Sequence, residues 1–432
     1  MKFLFIHPPL NAFLSGGNVF NRRMIGLARE NGFSLETVEV PPDGAIPDFA
    51  RDAIILWDSL LLEGLANCPP NQDGPAHGLL VHYVPFLNPL LDPDRRREEE
   101  ARFERAAERV RFFIATGLSI RRLLERRYPG KPVFLCEPGV DAAFPAARRA
   151  SAEPGTDRTV RIATVANLLP AKGLTDLLDI LAELRHYDWM WHVAGDDRAD
   201  PSCAERFRSR IAELGLQTRI ILHGVLDTPE LARLLGGMDI FAFSSRFEAY
   251  GMALAEAAAV GLPIVTTDVG EASRIVRHGK TGSVVPAGDP DAFRNALEQW
   301  LADRELRRPQ NPPRTWEAAF ADFPECLRGG LLDGRRTERP AGAPAPNRRL
   351  TPWLPGIADR SPRPKDVIAH RCPIFGHTRQ AIDPAMVFSA FHVIIHRPLH
   401  SFCGNRESRA FSIRMNGVGT NEFAPTCEMK ML

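Results

Sequence analysis

The chain has 432 residues, enough for two domains or more. Hydrophobic residues make up 44% and charged residues 25%, with a net charge of +1, a globular composition that excludes a partnership with nucleic acid driven by overall charge. No apolar run approaches the roughly 18 residues a membrane span needs.

The start, Lys2-Phe3-Leu4-Phe5-Ile6-His7, is too short an apolar stretch for a signal peptide and reads as a first buried strand. A loop over 11–18 holds Gly16-Gly17, and a helix over 19–31 stops at Gly32. Strands follow at 53–57, 78–84, 111–115 and 132–136, with helices at 94–109 and 118–127. Strands alternating with helices predict a parallel sheet covered on both faces. Residues 146–158 lack apolar periodicity and read as a linker. A second alternating array has strands at 160–166, 189–194, 220–223, 239–243, 263–267 and 282–285. Its helices fall at 174–184, 204–214, 229–235, 249–260 and 290–302. The expected fold class is α/β, two Rossmann-like doubly wound domains over 1–145 and 159–306, with ligand at the carboxyl ends of the strands in the cleft between them.

Beyond this, Pro309, Pro312 and Pro313 precede a short helical stretch over 316–328, within a segment 307–328. The Pro/Arg/Gly-rich tract 329–365 has few buried-type residues, and 366–432 has no clean period, so an irregular or disordered extension is expected over 329–432. Seven cysteines, an odd number without regular spacing, fit a reduced cytoplasmic protein.

The most informative segment is Ser244-Ser245-Arg246-Phe247-Glu248-Ala249-Tyr250-Gly251-Met252-Ala253-Leu254-Ala255-Glu256. It follows an apolar strand and leads into a helix closed by Gly261. Amides at the helix start, with the helix dipole, favour a phosphate or diphosphate. Two further segments accompany it: Val165-Ala166-Asn167-Leu168-Leu169-Pro170-Ala171-Lys172-Gly173 upstream and Leu262-Pro263-Ile264-Val265-Thr266-Thr267-Asp268-Val269-Gly270 downstream.

In this order the three segments resemble the retaining glycosyltransferases of family four, with the E-x7-E motif and the two-lobed GT-B type fold. The resemblance is strongest over 159–303. It implies transfer of a hexosyl-type sugar from a nucleotide diphosphate sugar to an acceptor hydroxyl with retention, by a front-face path in which the leaving phosphate takes the acceptor proton. It implies that Glu248 orients the donor sugar and Glu256 holds the ribose. Gly251, Met252 and Ala253 offer amides to the diphosphate, and Lys172 neutralises it. Where many members carry arginine, Asn167 brings an amide without charge. Val225 and Leu226 lie where the base is expected, and Gly16 and Gly17 correspond to a Gly-rich loop approaching phosphate. His82 corresponds to a histidine near the reacting sugar, and the late helix to one that crosses back onto the amino lobe. No cofactor and no catalytic metal are expected; the donor is a co-substrate. The acceptor is a saccharide, a small molecule or a lipid-linked group, and nucleic acid is not a partner. Two alternatives stay open: a sugar-nucleotide 2-epimerase-like isomerase, and an inactive sugar-nucleotide binding module.

Other residues have plainer readings beside functional ones. His7 ends a strand; Asp58 is either an acceptor contact or a helix cap. Arg121, Arg122, Arg126 and Arg127 form a solvated helix face or a peripheral contact with anionic lipid. His370, Cys372, His377, His392, His396, His400 and Cys403 cluster in the extension, without the spacing of a zinc module.

Overall fold

The computed structural model describes residues 2–11, 15–41, 53–68, 76–147, 159–302 and 314–334, with side chains described up to residue 330. The 335–432 part of the extension, with its histidines and cysteines, lies outside the described residues, as do 148–158 of the linker. In the amino lobe, β1 (Lys2–His7) leads to α1 (Gly16–Glu30), β2 (Leu35–Glu39), β3 (Ala53–Asp58), α2 (Leu62–Asn67) and β4 (Ala76–Val81). Then come α3 (Pro93–Arg109), β5 (Phe112–Ala115), α4 (Leu118–Arg127), β6 (Val133–Leu135) and a short α5 (Ala143–Ala146). The carboxy lobe runs β7 (Val160–Val165), α6 (Leu174–Glu183), β8 (Trp189–Ala194), α7 (Pro201–Glu213), β9 (Ile220–Gly224) and α8 (Thr228–Gly236). It continues with β10 (Ile240–Phe243), α9 (Met252–Val260), β11 (Ile264–Thr267), α10 (Ala272–Ile275), β12 (Gly282–Val285) and α11 (Pro290–Ala302). Finally α12 (Trp316–Gly334) packs on the amino lobe.

Each lobe holds a six-stranded sheet, ordered β2-β1-β3-β4-β5-β6 and β12-β11-β10-β7-β8-β9. Neighbouring strands pair in parallel throughout. The inner strands β3, β5 and β10 are buried at every position, because helices cover both faces. The amino sheet is sandwiched between a cluster around Trp57, Phe103 and Phe113 and another around Phe5, Phe20 and Phe112. In the carboxy lobe one cluster around Trp189, Trp191 and Phe241 forms the core. Strand order reverses between β1 and β3 in one sheet and between β7 and β10 in the other, and these switch points leave crevices at the carboxyl ends of the strands.

Several bounds differ from the sequence expectation for definable reasons. Edge strand β2 was not anticipated, since Leu35-Glu36-Thr37-Val38-Glu39 is only half buried and carries glutamates. β4 ends at Val81 rather than 84, because Pro85 begins a 3-10 turn. Gly16 and Gly17 belong not to a loop but to the first turn of α1, which starts at Gly16 rather than 19 because the Ser15 hydroxyl accepts the Asn18 N–H at 3.1 Å. α9 starts at Met252 rather than 249, since Gly251 has φ 99° and terminates the turn before it. The late helix passes residue 328 and ends at Gly334: Gly329 and Gly330 sit where an added Cβ would fall 2.6 Å from Phe134 and Phe112, so only glycine lets the helix lie this close.

α12 buries Trp316, Phe320, Phe323 and Leu327 against Phe20, Met24 and Phe112. Just before it, Val140 and Thr315 form a parallel bridge, with the Val140 N–H donating to Arg314 O at 2.8 Å, so the chain leaving the amino lobe and the chain returning run side by side. Phe323 is fully buried, so Phe323→Ala should cost about 3–5 kcal/mol in chemical unfolding. A loss below about 1 kcal/mol would mean that α12 is not part of the amino-lobe core.

Candidate active site at the interlobe cleft

The turns after β7 and β10 meet at the switch point of the carboxy sheet and are stitched together by backbone and hydroxyl groups. Gly173, at φ 64°, lets the first turn close: a Cβ there would lie 2.3 Å from Ser244 O. The Ser244 hydroxyl donates to Gly173 O at 2.8 Å, the Ser245 hydroxyl to Ala171 O at 3.1 Å, and the Arg246 N–H to Ala171 O at 2.8 Å. This frame aims Lys172, at the end of a 3-10 turn (Pro170–Lys172), at Glu248, and its ammonium donates to Glu248 Oε1. Glu248 also receives the Ser245 hydroxyl at 3.3 Å. The two charged side chains are partly buried, at 24% and 13% exposure, so the pair stands at the rim of the cleft where a ligand can reach it.

Three residues beyond Glu248, Gly251 opens α9 with no side-chain cap and no acid in the first turn. The N–H groups of Gly251, Met252 and Ala253 therefore precede any intrahelical partner and present the positive end of the dipole. Across the cleft stands the start of α1: a Cβ on Gly16 would meet Met252 Sδ at 3.2 Å. Two helix amino ends, one from each lobe, thus converge, an arrangement suited to an anion.

Glu256 projects from the second turn of α9. Burial pushes its carboxyl up to about 8, and the nearby Asp141 carboxylate adds to the rise. Asp141 follows β6 and is paired with Arg23 of α1, so Glu256 faces the junction of the lobes.

His82 lies at the floor of the amino lobe, 9% exposed. Its Nε2 sits 2.8 Å from Asn21 Oδ1, and Asn21 in turn donates to Asp58 Oδ2 at 2.5 Å. With the amide nitrogen of Asn21 turned to Asp58, Nε2 carries the ring proton and donates it, leaving Nδ1 as the ring's acceptor. Burial lowers the pKa of His82, against a smaller opposing effect of Asp58, so the ring is neutral near pH 7. Gly17 lies against the ring face, with an added Cβ 3.3 Å away. Asp58 is fully buried and caps a 3-10 turn through the Leu60 N–H at 2.7 Å, so it is a cap and not an acceptor contact. His7 is buried and directs Nδ1 at Pro8 O.

Asn167 uses its amide oxygen to accept the Asp196 N–H at 3.0 Å, bracing the turns after β7 and β8 against each other. Val225 and Leu226 lie in the turn between β9, the edge strand of the sheet, and α8, with Val225 46% exposed. Sequence reasoning missed Asn21, the Ser244-Ser245 stitches and Asp141. The paired serines before Arg246 carried the signal of a hydroxyl-rich turn, whereas nothing local marks Asn21. On α4, Arg121 pairs with Glu125 at 2.8 Å and Arg127 is committed to Glu100 and Glu104. Among the described residues no helix is long and apolar enough to cross a membrane.

Residues 145–311 match the family model described as Glycosyl transferases group 1. D-inositol 3-phosphate glycosyltransferase of Corynebacterium efficiens is 32% identical over 183 residues, covering 41% of this chain and 43% of that protein. Sucrose-phosphate synthase from Thermosynechococcus elongatus superposes with a TM-score of 0.63 at 16% identity, covering 77% of this chain and all of that one. HepE of Anabaena, solved with UDP and glucose, superposes with a TM-score of 0.55 at 15% identity over 78% of this chain and 98% of that one. These two likenesses are of fold, and they make the architecture the two-domain GT-B type. The chain spans about half the length of the curated relatives it matches, between 43% and 59% for the first three.

Proposed function

We propose that the protein transfers a sugar from a nucleotide diphosphate sugar to an acceptor hydroxyl, with retention of anomeric configuration. One observation carries this reading. The Lys172–Glu248 pair stands beside the uncapped amino end of α9, and Glu256 lies on the same helix, at the switch point of a sheet inside the matched segment. The match to a glycosyl transferase model and the curated relatives support sugar transfer; retention and the site roles are our inference.

In this reading the diphosphate lies against the amides of Gly251, Met252 and Ala253, with the start of α1 at Gly16 and Gly17 opposite. Its charge draws the Lys172 ammonium off Glu248. The freed carboxylate then accepts hydrogen bonds from the donor sugar, so one ion pair becomes two ligand contacts. As the bond between sugar and phosphate breaks, charge grows on the phosphate, and Lys172 and the helix amides stabilise it most at that point. A leaving phosphate oxygen takes the proton of the acceptor hydroxyl as that hydroxyl attacks the same face of the sugar. Glu256 accepts the ribose hydroxyls, and His82, neutral and fixed by Asn21, faces the sugar from the amino lobe. The base lies by Val225 and Leu226. The residues required are all side chains or amides of the chain, and no cofactor is assigned.

A thermal-shift panel of uridine, guanosine, adenosine and thymidine diphosphates and their sugars, followed by product analysis with acceptors, tests the reading. A ligand at about 100 times its Kd should add roughly 2.7 kcal/mol. A protein stabilised by none of them is not such an enzyme.

Lys172→Ala should lower kcat/KM by about 100-fold, the scale of one lost transition-state contact. Near-normal turnover in that variant would remove Lys172 from the diphosphate. Glu248→Gln should lower turnover while leaving affinity for the free nucleoside diphosphate unchanged or tighter, since it releases Lys172. At pH 9, where the Glu256 carboxyl is ionised, Glu256→Gln should weaken that affinity by about 1.5–3 kcal/mol.

The raised carboxyl of Glu256 adds a pH dependence. Below about 8 it holds a proton, whereas ribose hydroxyls are best accepted by the carboxylate. Nucleoside diphosphate affinity should therefore rise between pH 7 and 9, and this slope should be absent in Glu256→Gln. Stability runs the other way. The folded state binds this proton more tightly than the unfolded chain, whose carboxyl titrates near 4.5, so stability falls as pH rises from 4.5 to about 8. Glu256→Gln should match the wild type at pH 4.5 and exceed it by roughly 1–3 kcal/mol at pH 9, with the discount owed to a half-buried group. Parallel melting curves for the two proteins across this range would show that the carboxyl is not perturbed.

A further inference from the structure

Outside the ligand contacts, one carboxylate joins the lobes directly behind the turn that carries Glu248. Glu271 precedes α10 in the carboxy lobe and is 3% exposed. Its Oε1 accepts both the Ser119 N–H at 2.8 Å and the Ser119 hydroxyl at 2.6 Å, in the amino lobe. Ser119 lies in the first turn of α4, whose N-cap residue, Gly117, has no side chain to offer. A helix of the amino lobe is thus capped by an acid of the carboxy lobe, with the charge at the favourable end of the dipole. The other oxygen, Oε2, accepts from Arg274 at 2.9 Å, and Arg274 reaches back to Glu137 after β6, closing a second tie between the lobes.

The same residue grips the donor turn. The Glu271 N–H donates to Tyr250 O at 3.0 Å, immediately before Gly251. Its neighbour Gly270, at φ 60°, lies so close that an added Cβ would fall 3.1 Å from Glu248 Cβ and from Tyr250 O. On the opposite side, a Cβ on Gly117 would come within 2.9 Å of Glu271 Oε1 and 3.4 Å of Ala249 O. The segment from Glu248 to Gly251 is therefore held between Gly270-Glu271 and the start of α4. Moving the lobes apart withdraws the cap and frees the back of this segment in one step.

We infer that Glu271 is a positioning residue: by capping α4 across the cleft it sets the Glu248–Gly251 turn in its reactive geometry only when the lobes are closed. It touches no ligand. It acts through the turn, and a displacement near 1 Å at such a turn is enough to cost about 100-fold in rate. The role in turnover rests on the sugar-transfer reading above; the interlobe cap itself does not.

The test uses the full chain in five variants: Glu271→Ala, Ser119→Ala, Ser119→Thr, Gly117→Ala, and Gly117→Ala combined with Glu271→Ala. Gly117 has an extended backbone that any residue adopts, so Gly117→Ala acts through the contact with Glu271 and not through strain. Calorimetry uses the nucleoside diphosphate that stabilises the wild type most in the panel, and turnover uses its sugar. Glu271→Ala and Ser119→Ala should lower kcat by about 10- to 100-fold while nucleoside diphosphate affinity changes less than about threefold. Gly117→Ala should lower kcat in the wild-type background and have no effect once Glu271 is alanine. Ser119→Thr, which keeps the hydroxyl, should restore most of the rate. Hydrogen exchange of the Ser119 amide should speed up in Glu271→Ala. Unchanged kcat in Glu271→Ala overturns the proposal, as do equal losses of kcat and affinity, which would make Glu271 a ligand contact or a fold element. If no nucleotide sugar is turned over by the wild type, the transfer reading fails, and the exchange rate of the Ser119 amide alone decides whether Glu271 caps α4 in solution: an unchanged rate overturns it.

Discussion

Parallel pairing is the constraint from which the rest of the molecule follows. A strand followed by a parallel neighbour needs a crossover, and where a described helix makes that crossover it starts beyond the carboxyl end of the strand before it. Carboxyl ends of strands and amino ends of helices are therefore gathered on one edge of each sheet. When two such sheets share a cleft, amides and dipoles of both lobes point into it before any particular side chain is chosen. Gly16 against Met252 is the closest expression of this, with α1 and α9 meeting end to end. The side chains at the cleft then tune a field the backbone has already set up.

That tuning is mostly a matter of where charge is hidden. Lys172 and Glu248 neutralise each other at the cleft rim, so neither bears the full penalty of standing unpaired in a partly buried place. Glu256 meets the same penalty by holding its proton, since it is buried and the Asp141 carboxylate acting on it is of the same sign and already engaged by Arg23. His82 stays neutral through burial, with its tautomer set by Asn21. The site thus carries little net charge, with its ionised groups held in pairs.

How far the sequence revealed this depended on whether a feature was local. The carboxy lobe was legible almost strand by strand, since short apolar runs such as Ile240-Phe241-Ala242-Phe243 end in Gly or Ser turns and are followed by helix formers. The strand and helix pattern puts Lys172 and Glu248 at turns and Glu256 inside the following helix, where the structure has them, while the resemblance singled them out. β2 was hidden because an edge strand needs only half an apolar pattern. The extent of α12 was hidden because Gly329-Gly330 reads as a stop, while in the fold these glycines serve close approach to Phe112 and Phe134. The Asp58–Asn21–His82 chain and the Glu271 cap were out of reach for another reason. Each joins residues far apart in sequence, and a lone Asn in a helix or Glu after a glycine looks like any surface polar residue until the partner element is in place.

The bridge between Val140 and Thr315 has its own consequence. The outgoing and returning chains meet the amino lobe at one spot, and Gly139 permits it, since a Cβ there would strike the backbone of Thr315 and Trp316 at 2.3–2.4 Å. The two chain connections between the lobes are thus gathered at one place on the amino lobe, beside the pivot of any opening. A change in the angle between the lobes, as between jaws, is felt least there and most at the mouth of the cleft. A bulkier residue at position 139 would splay the two strands of the pivot and misalign the jaws without touching either of them.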